Sequence, residues 1–385
     1  MQDWQHAGFG LYIHWPFCES KCPYCDFNSH VATQIDQLKW ATAYVAEIDR
    51  IHAQIPDRVL NTVFFGGGTP SLMNPNLVAG ILEHVRSKWR QANDVEITLE
   101  ANPGSVDKER FRGYADAGVN RISMGVQALN DRDLSRLGRR HSTAEALAAF
   151  DVARTLFDRV SFDLIYARQD QTLQDWKSEL ELALSFAVDH LSLYQLTVEQ
   201  GTAFADRLAR GGLRGLPDEN LAADMFDLTQ DITADHGLPA YEISNHARSG
   251  AESRHNLIYW RMGDYAGIGP GAHGRLTLGS DRVATESYKA PGKWLDQVQK
   301  LRCGESLREV LSGQDCATEL ALMSLRLSEG LDLERYSALS GGHISEKKIL
   351  SLVQSGHVQH TGNRLIATST GRIVLNEVLR TLLAD

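Results

Sequence analysis

From residue 11 to about 245, short apolar runs alternate with amphipathic stretches six times or more, and this alternation restricts the fold more than any other feature of the chain. "LYIHW" (11–15) reads as a strand, and 33–54 as a helix with Ile35, Leu38, Ala41, Val45 and Ile48 on its apolar positions. "TVFF" (62–65) follows as a buried strand, then a helix opening at Pro75, with Asn74 placed to cap its amides. The pattern continues through "VEITLEA" (95–101), "NRISMGV" (120–126), "RVSFDLIY" (159–166), "DHLSLYQL" (189–196) and "AYEIS" (240–244). Helices are expected between these strands near 107–117, 142–157, 172–187 and 219–236. Strands separated by helix-length crossovers pair in parallel, so the chain predicts an α/β fold with a parallel sheet covered by helices. The period alone leaves open whether that sheet closes into a barrel.

At about 246 the pattern breaks. Residues 246–300, including "WRMGDYAGIGPGAHG", read as a Gly-rich, loop-like connecting region, and 301–385 as a small separate module. Within the module helices are expected near 317–327, 331–338 and 345–355, then a hairpin turning at Gly362-Asn363 and a final helix over 371–383. Helices followed by a hairpin give a winged-helix-like outline. The expected organisation is a tail (1–8), a core (9–245), a connecting region (246–300) and the C-terminal module (301–385).

Composition removes several functional classes. A formal net charge of −10 disfavours general binding to nucleic acid or to an anionic membrane. Residues 301–385 carry no helix with a basic face, so the winged-helix outline is not read as a DNA-binding one. The N-terminus, "MQDWQHAGFG", lacks the apolar stretch of a signal peptide, and no apolar run approaches the length of a membrane helix. With 5 cysteines, an odd number, the expected location is the reducing cytoplasm, where thiols ligate metals or do chemistry. Cys303 and Cys316 stand alone and read as packing thiols.

The chemistry-bearing residues fall at the ends of the strands. Cys18, Cys22 and Cys25, spaced C-x3-C-x2-C, follow the first strand, and "GGGTP" (66–70) follows the second. Glu100, Gln127, Asp163 and Gln195 lie at or near the ends of the next four. In β/α folds the strand C-termini open on one face, so these groups converge on one mouth. Three thiolates can hold zinc with His14 or His30 as fourth ligand. They can equally hold a [4Fe–4S] cluster with one iron left open for a substrate or cofactor. "GGGTP" fits neither a dinucleotide fingerprint nor a phosphate loop, and its bare backbone suits close approach to an amino-acid-like moiety.

The cysteine spacing with "GGGTP" resembles the radical S-adenosylmethionine (SAM) family. "LYIHWPFCESKCPYCDF", "EANPGS", "RISMGVQ", "FDLIY", "YEISNHA" and "HNLIYW" are similar to its coproporphyrinogen-dehydrogenase-like branch, most of all to the HemW-type haem chaperones. The resemblance spans about residues 9–380 and implies a partial (β/α)6, TIM-like barrel with a small, mainly helical C-terminal domain. It implies a [4Fe–4S] cluster on Cys18, Cys22 and Cys25 with SAM on the open iron. It also implies Gly67, Gly68 and Thr69 along the methionyl group, Glu100, Gln127, Arg139 and Asp163 on the rest of SAM, and Tyr12 and Tyr24 close by. "HNLIYW" implies haem as bound cargo with His255 as its axial ligand, His246 and His273 being rival ligands. Respiratory haem proteins at the membrane surface are the implied acceptors, no nucleic acid is expected, and a homodimer is an open option.

Two features choose between branches. The porphyrinogen-oxidising relatives carry a fourth cysteine two residues after the third, where this chain has Phe27. That favours the chaperone over the alternative, an oxygen-independent coproporphyrinogen III oxidase. After "DLIY" the chain has "ARQDQT" where relatives commonly show a Gly-Leu-Pro-type turn, so no backbone contact is carried over to 167–170.

Overall fold

A computed structural model describes residues 2–32, 34–186 and 188–384. Its centre is an 11-stranded sheet. In chain order the strands are β1 (Phe9–Trp15), β2 (Val59–Gly67), β3 (Arg90–Ala101), β4 (Arg121–Gln127), β5 (Arg159–Tyr166) and β6 (His190–Gln195). Then come β7 (Asn245–Ala247), β8 (Asp264–Ile268), β9 (His273–Leu278), β10 (Asp281–Ser287) and β11 (Glu305–Leu311). Their spatial order is β11-β10-β9-β8-β1-β2-β3-β4-β5-β6-β7. From β8 through β1 to β6 every neighbour is parallel, while β7 and the β9–β11 meander are antiparallel. The two ends of the sheet, β7 and β11, do not pair with each other among the described residues.

Side chains alternate along each strand, so a parallel sheet with one face under helices sends every second residue to the apolar layer. In β4 those residues are Ile122, Met124 and Val126, all essentially buried, while Arg121, Ser123, Gly125 and Gln127 share the other face. The apolar face packs against α1 (Gln37–His52), α2 (Pro75–Lys88), α3 (Lys108–Ala117), α5 (Thr143–Arg154), α6 (Leu173–Ser185) and α8 (Glu219–Asp235). The short helices α4 (Asp131–Arg136) and α7 (Ala203–Ala209) lie in the connections after β4 and β6. Asn74 caps α2 by accepting from the Asn76 amide, with Pro75 in the first turn as expected. The expected helices 33–54 and 172–187 each reach a residue, Thr33 and Ala187, that lies outside the described set.

Two expectations are corrected here. "AYEIS" is not a strand; the antiparallel edge strand β7 begins at Asn245. Nor is 246–300 a loop: it holds α9 (Arg254–Trp260), β8, the β9–β10 hairpin and α10 (Pro291–Leu301). Its glycines hid the strands, because glycine is depleted in ordinary strands. Here close backbone approach requires them: a Cβ on Gly267 would sit 2.0 Å from the His273 carbonyl oxygen.

The C-terminal elements have their own core. They are α11 (Gly313–Ser324), β12 (Leu331–Asp332), α12 (Leu333–Ser340), α13 (Glu346–Gln354), β13 (Val358–Thr361), β14 (Arg364–Ala367), α14 (Ser369–Ile373) and α15 (Leu375–Leu383). The β13–β14 hairpin turns at Gly362, and β12 joins it as a third strand. Among the described residues no helix is long and apolar enough to cross a membrane.

Candidate functional site

At the C-terminal ends of β1–β6 lies a cavity of about 380 Å³. Cys18, Cys22 and Cys25 all line it, together with Tyr24, Gly67, Gly68, Thr69, Glu100, Gln127, Arg139 and Asp163. Six separate strands and their connections therefore deliver the expected groups to one place. Tyr12 does not reach this cavity; it lines a neighbouring one. The sequence reading missed Ser123 and Tyr194, which also line it. Ser123 was legible, since the period-two row Arg121, Ser123, Gly125, Gln127 puts it on the same face as Gln127.

The cysteine loop leaves β1 and is pinned at both sides. Phe17–Cys18 pairs in parallel with His30–Val31. The side-chain amide of Asn28 donates to the carbonyls of Pro270 and Lys289, both 2.9 Å away. His14 sits beneath the loop, with Nε2 2.9 Å from the Asn28 carbonyl and Nδ1 3.0 Å from the Tyr12 hydroxyl. Both ring nitrogens of His14 are thus occupied, and His30 Nε2 faces Asn28 Oδ1 at 3.2 Å. Neither histidine is presented as a fourth zinc ligand.

Two cysteines have specific partners. Thr69 Oγ1 donates to Cys18 Sγ (3.3 Å), and Arg139 Nη1 donates to Cys22 Sγ (3.6 Å). Burial pushes the Cys18 and Cys25 thiols above the usual range. Arg139 Nη2 donates to the Gly125 carbonyl (2.6 Å), and its buried Nε has no partner. Two of its three guanidinium nitrogens thus face the protein, one on a cysteine sulfur and one on a backbone carbonyl.

The glycine segment is also more committed than its composition suggests. The Gly67 amide donates to Glu100 Oε2 (3.1 Å), Gly68 to the Trp15 carbonyl (2.7 Å) and Thr69 to the Phe17 carbonyl (2.9 Å). With all three amides used, carbonyl oxygens are what the backbone can offer, and these accept from an ammonium. The close approach needs glycine: Gly67 has φ +113°, and a Cβ on Gly68 would stand 2.7 Å from the Phe17 carbonyl oxygen.

Opposite lie two carboxylates with too little to balance them. Burial, and then repulsion from Asp163, lifts Glu100 to about 8. Burial lifts Asp163 to about 6, against hydrogen bonds from Ser192 and Ser123 and the charges of Arg139 and Arg121. Buried carboxylates facing one another favour a cationic guest. Gln127 completes the wall from a left-handed backbone, φ 78°, at an irregularity in the β4–β5 register.

The donor set fits a [4Fe–4S] cluster with SAM. Three thiols on one loop border a cavity whose far wall carries two buried carboxyl groups and whose backbone offers acceptors, and SAM carries an ammonium, a sulfonium and ribose hydroxyls. Among the described residues no group of three or more His, Cys, Asp or Glu is arranged to hold a single ion. A cluster does not require one, because its three cysteines bind three different irons.

His255 lies elsewhere. It is 2% exposed at the start of α9, its ring stacked on Phe64 at 4.9 Å. Its Nδ1 is 2.7 Å from Thr62 Oγ1 and its Nε2 3.1 Å from the Tyr259 hydroxyl, one helical turn along. Burial, and then Arg121, lowers it to about 3. Both nitrogens are spoken for, so this conformation has no place for iron on His255. His246 is likewise buried, with Nδ1 2.9 Å from Thr233 Oγ1. The 167–170 loop stays out of the cavity; it is anchored by buried Arg168, paired with Asp133 (3.1 Å) and Glu179.

Fold and cysteine site together define a radical SAM protein, and the model of the Radical SAM superfamily matches residues 12–183. The chain belongs to that superfamily, within the family that includes the haem chaperone HemW and its mitochondrial relatives. It is 35% identical to the Heme chaperone HemW of Haemophilus influenzae over 97% of this chain and 98% of the relative. It is 37% identical to the mitochondrial radical S-adenosyl methionine domain-containing protein 1 of Mus musculus, over 97% of this chain and 87% of that one. Among solved structures the coproporphyrinogen III oxidase HemN of Escherichia coli superposes with a TM-score of 0.82 at 21% identity. That match covers 98% of this chain and 90% of HemN, and it shows the shared fold.

Proposed function

We propose that the protein is a cytoplasmic haem chaperone that holds a [4Fe–4S] cluster on Cys18, Cys22 and Cys25, binds SAM beside it, and passes haem to respiratory haem proteins at the membrane. Bound there, the cluster and SAM would supply one-electron reduction and a source of a carbon-centred radical. The chain's own residues do the holding. Glu100 and Asp163 counter positive charge, the Gly67–Thr69 carbonyls face an ammonium, and Arg139 and Thr69 donate to cysteine sulfurs.

Phe27 carries the choice of chaperone over oxidase. It stands where the oxidising relatives place a further cysteine, and at 58% exposure it presents an apolar ring instead of a thiol. The family relationship to HemW supports the same reading. Anaerobically reconstituted protein is expected to be brown, with broad absorption near about 400 nm, and to bind haem. Given SAM, a reductant and coproporphyrinogen, it is expected to form no divinyl product. Catalytic formation of that product would establish the oxidase reading, and a colourless protein would remove the cluster.

A further inference from the structure

We infer that haem docks in the smaller cavity next to the cysteine site, with His273 as the ligand to iron. The inference rests on the haem-carrying reading and adds the site to it.

This second cavity, about 270 Å³, shares Phe27, Gly67 and Glu100 with the cysteine cavity, so the two are neighbours across one wall. Its flank is aromatic. Tyr12, Tyr259 and Tyr265 line it, the last two with ring centroids 4.2 Å apart, and exposed Phe27 lines it as well. Flat aromatic surface beside an open mouth suits the face of a planar macrocycle. A cavity of this size takes part of such a disc and leaves the rest outside, which suits a cargo that must leave again.

At the rim stands His273, the first residue of β9, with its side chain 50% exposed. Its Nδ1 lies 3.6 Å from Glu286 Oε1 on the adjacent strand β10, directly opposite in the antiparallel register. No hydrogen bond occupies its Nε2 among the described residues. At 3.6 Å the carboxylate stands beside the ring without a hydrogen bond to it, so both ring nitrogens are open, and a histidine with an open nitrogen and an acidic neighbour able to orient it suits a metal ligand. The three candidate histidines are thereby separated. His255 and His246 are buried and already hydrogen-bonded, whereas His273 faces an aromatic cavity with a free nitrogen.

The same loop also ties the cargo site to the cysteine loop. Asn28, next to Phe27, holds the Pro270 carbonyl three residues before His273. Movement of the cysteine loop would therefore be felt at the rim.

The test is titration of the full-length protein with ferric haem, read by Soret absorption and by electron paramagnetic resonance. The parent is expected to show histidine-ligated haem. His273→Gly should bind haem more weakly by about tenfold or more and lose the histidine signature, and added imidazole should restore that signature. Its melting temperature should fall only slightly, by the cost of a glycine in a strand and the loss of a half-exposed ring. A His273→Gly protein with the parent's affinity and spectrum overturns the site while leaving the chaperone reading intact. A parent that binds no haem overturns both.

Discussion

Two carboxylates on one face of β3 have opposite surroundings. Glu96 is enclosed: Arg121 Nη1 is 3.2 Å away, Arg159 Nη1 3.5 Å, and the His255 amide donates to it at 3.1 Å. None of Thr62, Glu96, Arg121 or His255 keeps a buried side-chain nitrogen or oxygen without a partner. Glu100 lies four residues on, about 13 Å along the strand. It has the Gly67 amide, a repelling Asp163 and, across the cavity, an Arg139 whose Nε is unpartnered. Buried polar groups are costly unless partnered. The first arrangement is therefore a finished plug that stabilises the fold, and the second is unfinished until a ligand enters. His255 belongs to the plug.

The comparison is broken most directly at the plug. Arg121 is 3% exposed, and Arg121→Met leaves Glu96 buried with its closest charge removed. Breaking such a pair costs about 3–5 kcal/mol. Urea unfolding should show that loss, with the cysteine site still able to take up iron and sulfide in protein that remains folded. A loss below about 1 kcal/mol, the size of an exposed ion pair, would show that the network is not a plug.

At the unfinished end the effect is on binding and on its pH dependence. Glu100, lifted to about 8 by burial and by Asp163, keeps its proton at neutral pH. A cationic ligand favours the carboxylate, so binding must release that proton, and affinity for SAM should rise as pH climbs through about 6 to 8, by up to tenfold per unit for one proton. The stability of the empty protein runs the other way. The unfolded chain releases this proton first, so stability falls as pH rises from the ordinary glutamate range toward 8. Glu100→Gln should flatten both dependences and weaken SAM binding. Isothermal titration at several pH values in buffers of different ionisation enthalpy reads the proton directly. A slope unchanged in the variant would mean that Glu100 is not the group.

Much of this was legible in the sequence because strands place residues by a simple rule. A polar residue at a strand's C-terminus, repeated over consecutive β/α units, has to face one mouth, and so Cys18, Gly67, Glu100, Gln127 and Asp163 could be gathered before any coordinates. What the period could not tell was which polar groups were already partnered. His255 reads as a ligand in "HNLIYW", but Tyr259 one turn later and Thr62, nearly two hundred residues away, satisfy its ring. Long-range hydrogen bonds leave no local pattern. The 246–300 region failed for a different reason: the glycines that admit His14 and His273 against β8 and its loop are the residues that signal a loop by propensity.

The smallest test lies in the backbone at Gln127. A non-glycine residue at φ 78° costs about 1–2 kcal/mol. Here it is held there by its neighbours, with Arg139 Nη2 donating to the Gly125 carbonyl at 2.6 Å and His141 Nε2 to the Val126 carbonyl at 3.1 Å. The plug shows nothing similar; none of Thr62, Glu96, Arg121 and His255 has a positive φ. Strain present at Gln127 and absent from these four plug residues indicates that the side chain's position matters more than its cost. Gln127→Gly would remove the strain while adding about 0.4–1 kcal/mol of unfolded-state entropy, for a net stabilisation of about 1 kcal/mol or less. The same variant should bind SAM more weakly, because the carboxamide that the strain aims into the cavity is gone. Stability up and affinity down, in one substitution, is the signature of a ligand-side residue; if both fall together, Gln127 is part of the scaffold and the contrast between the two ends of the sheet loses its backbone component.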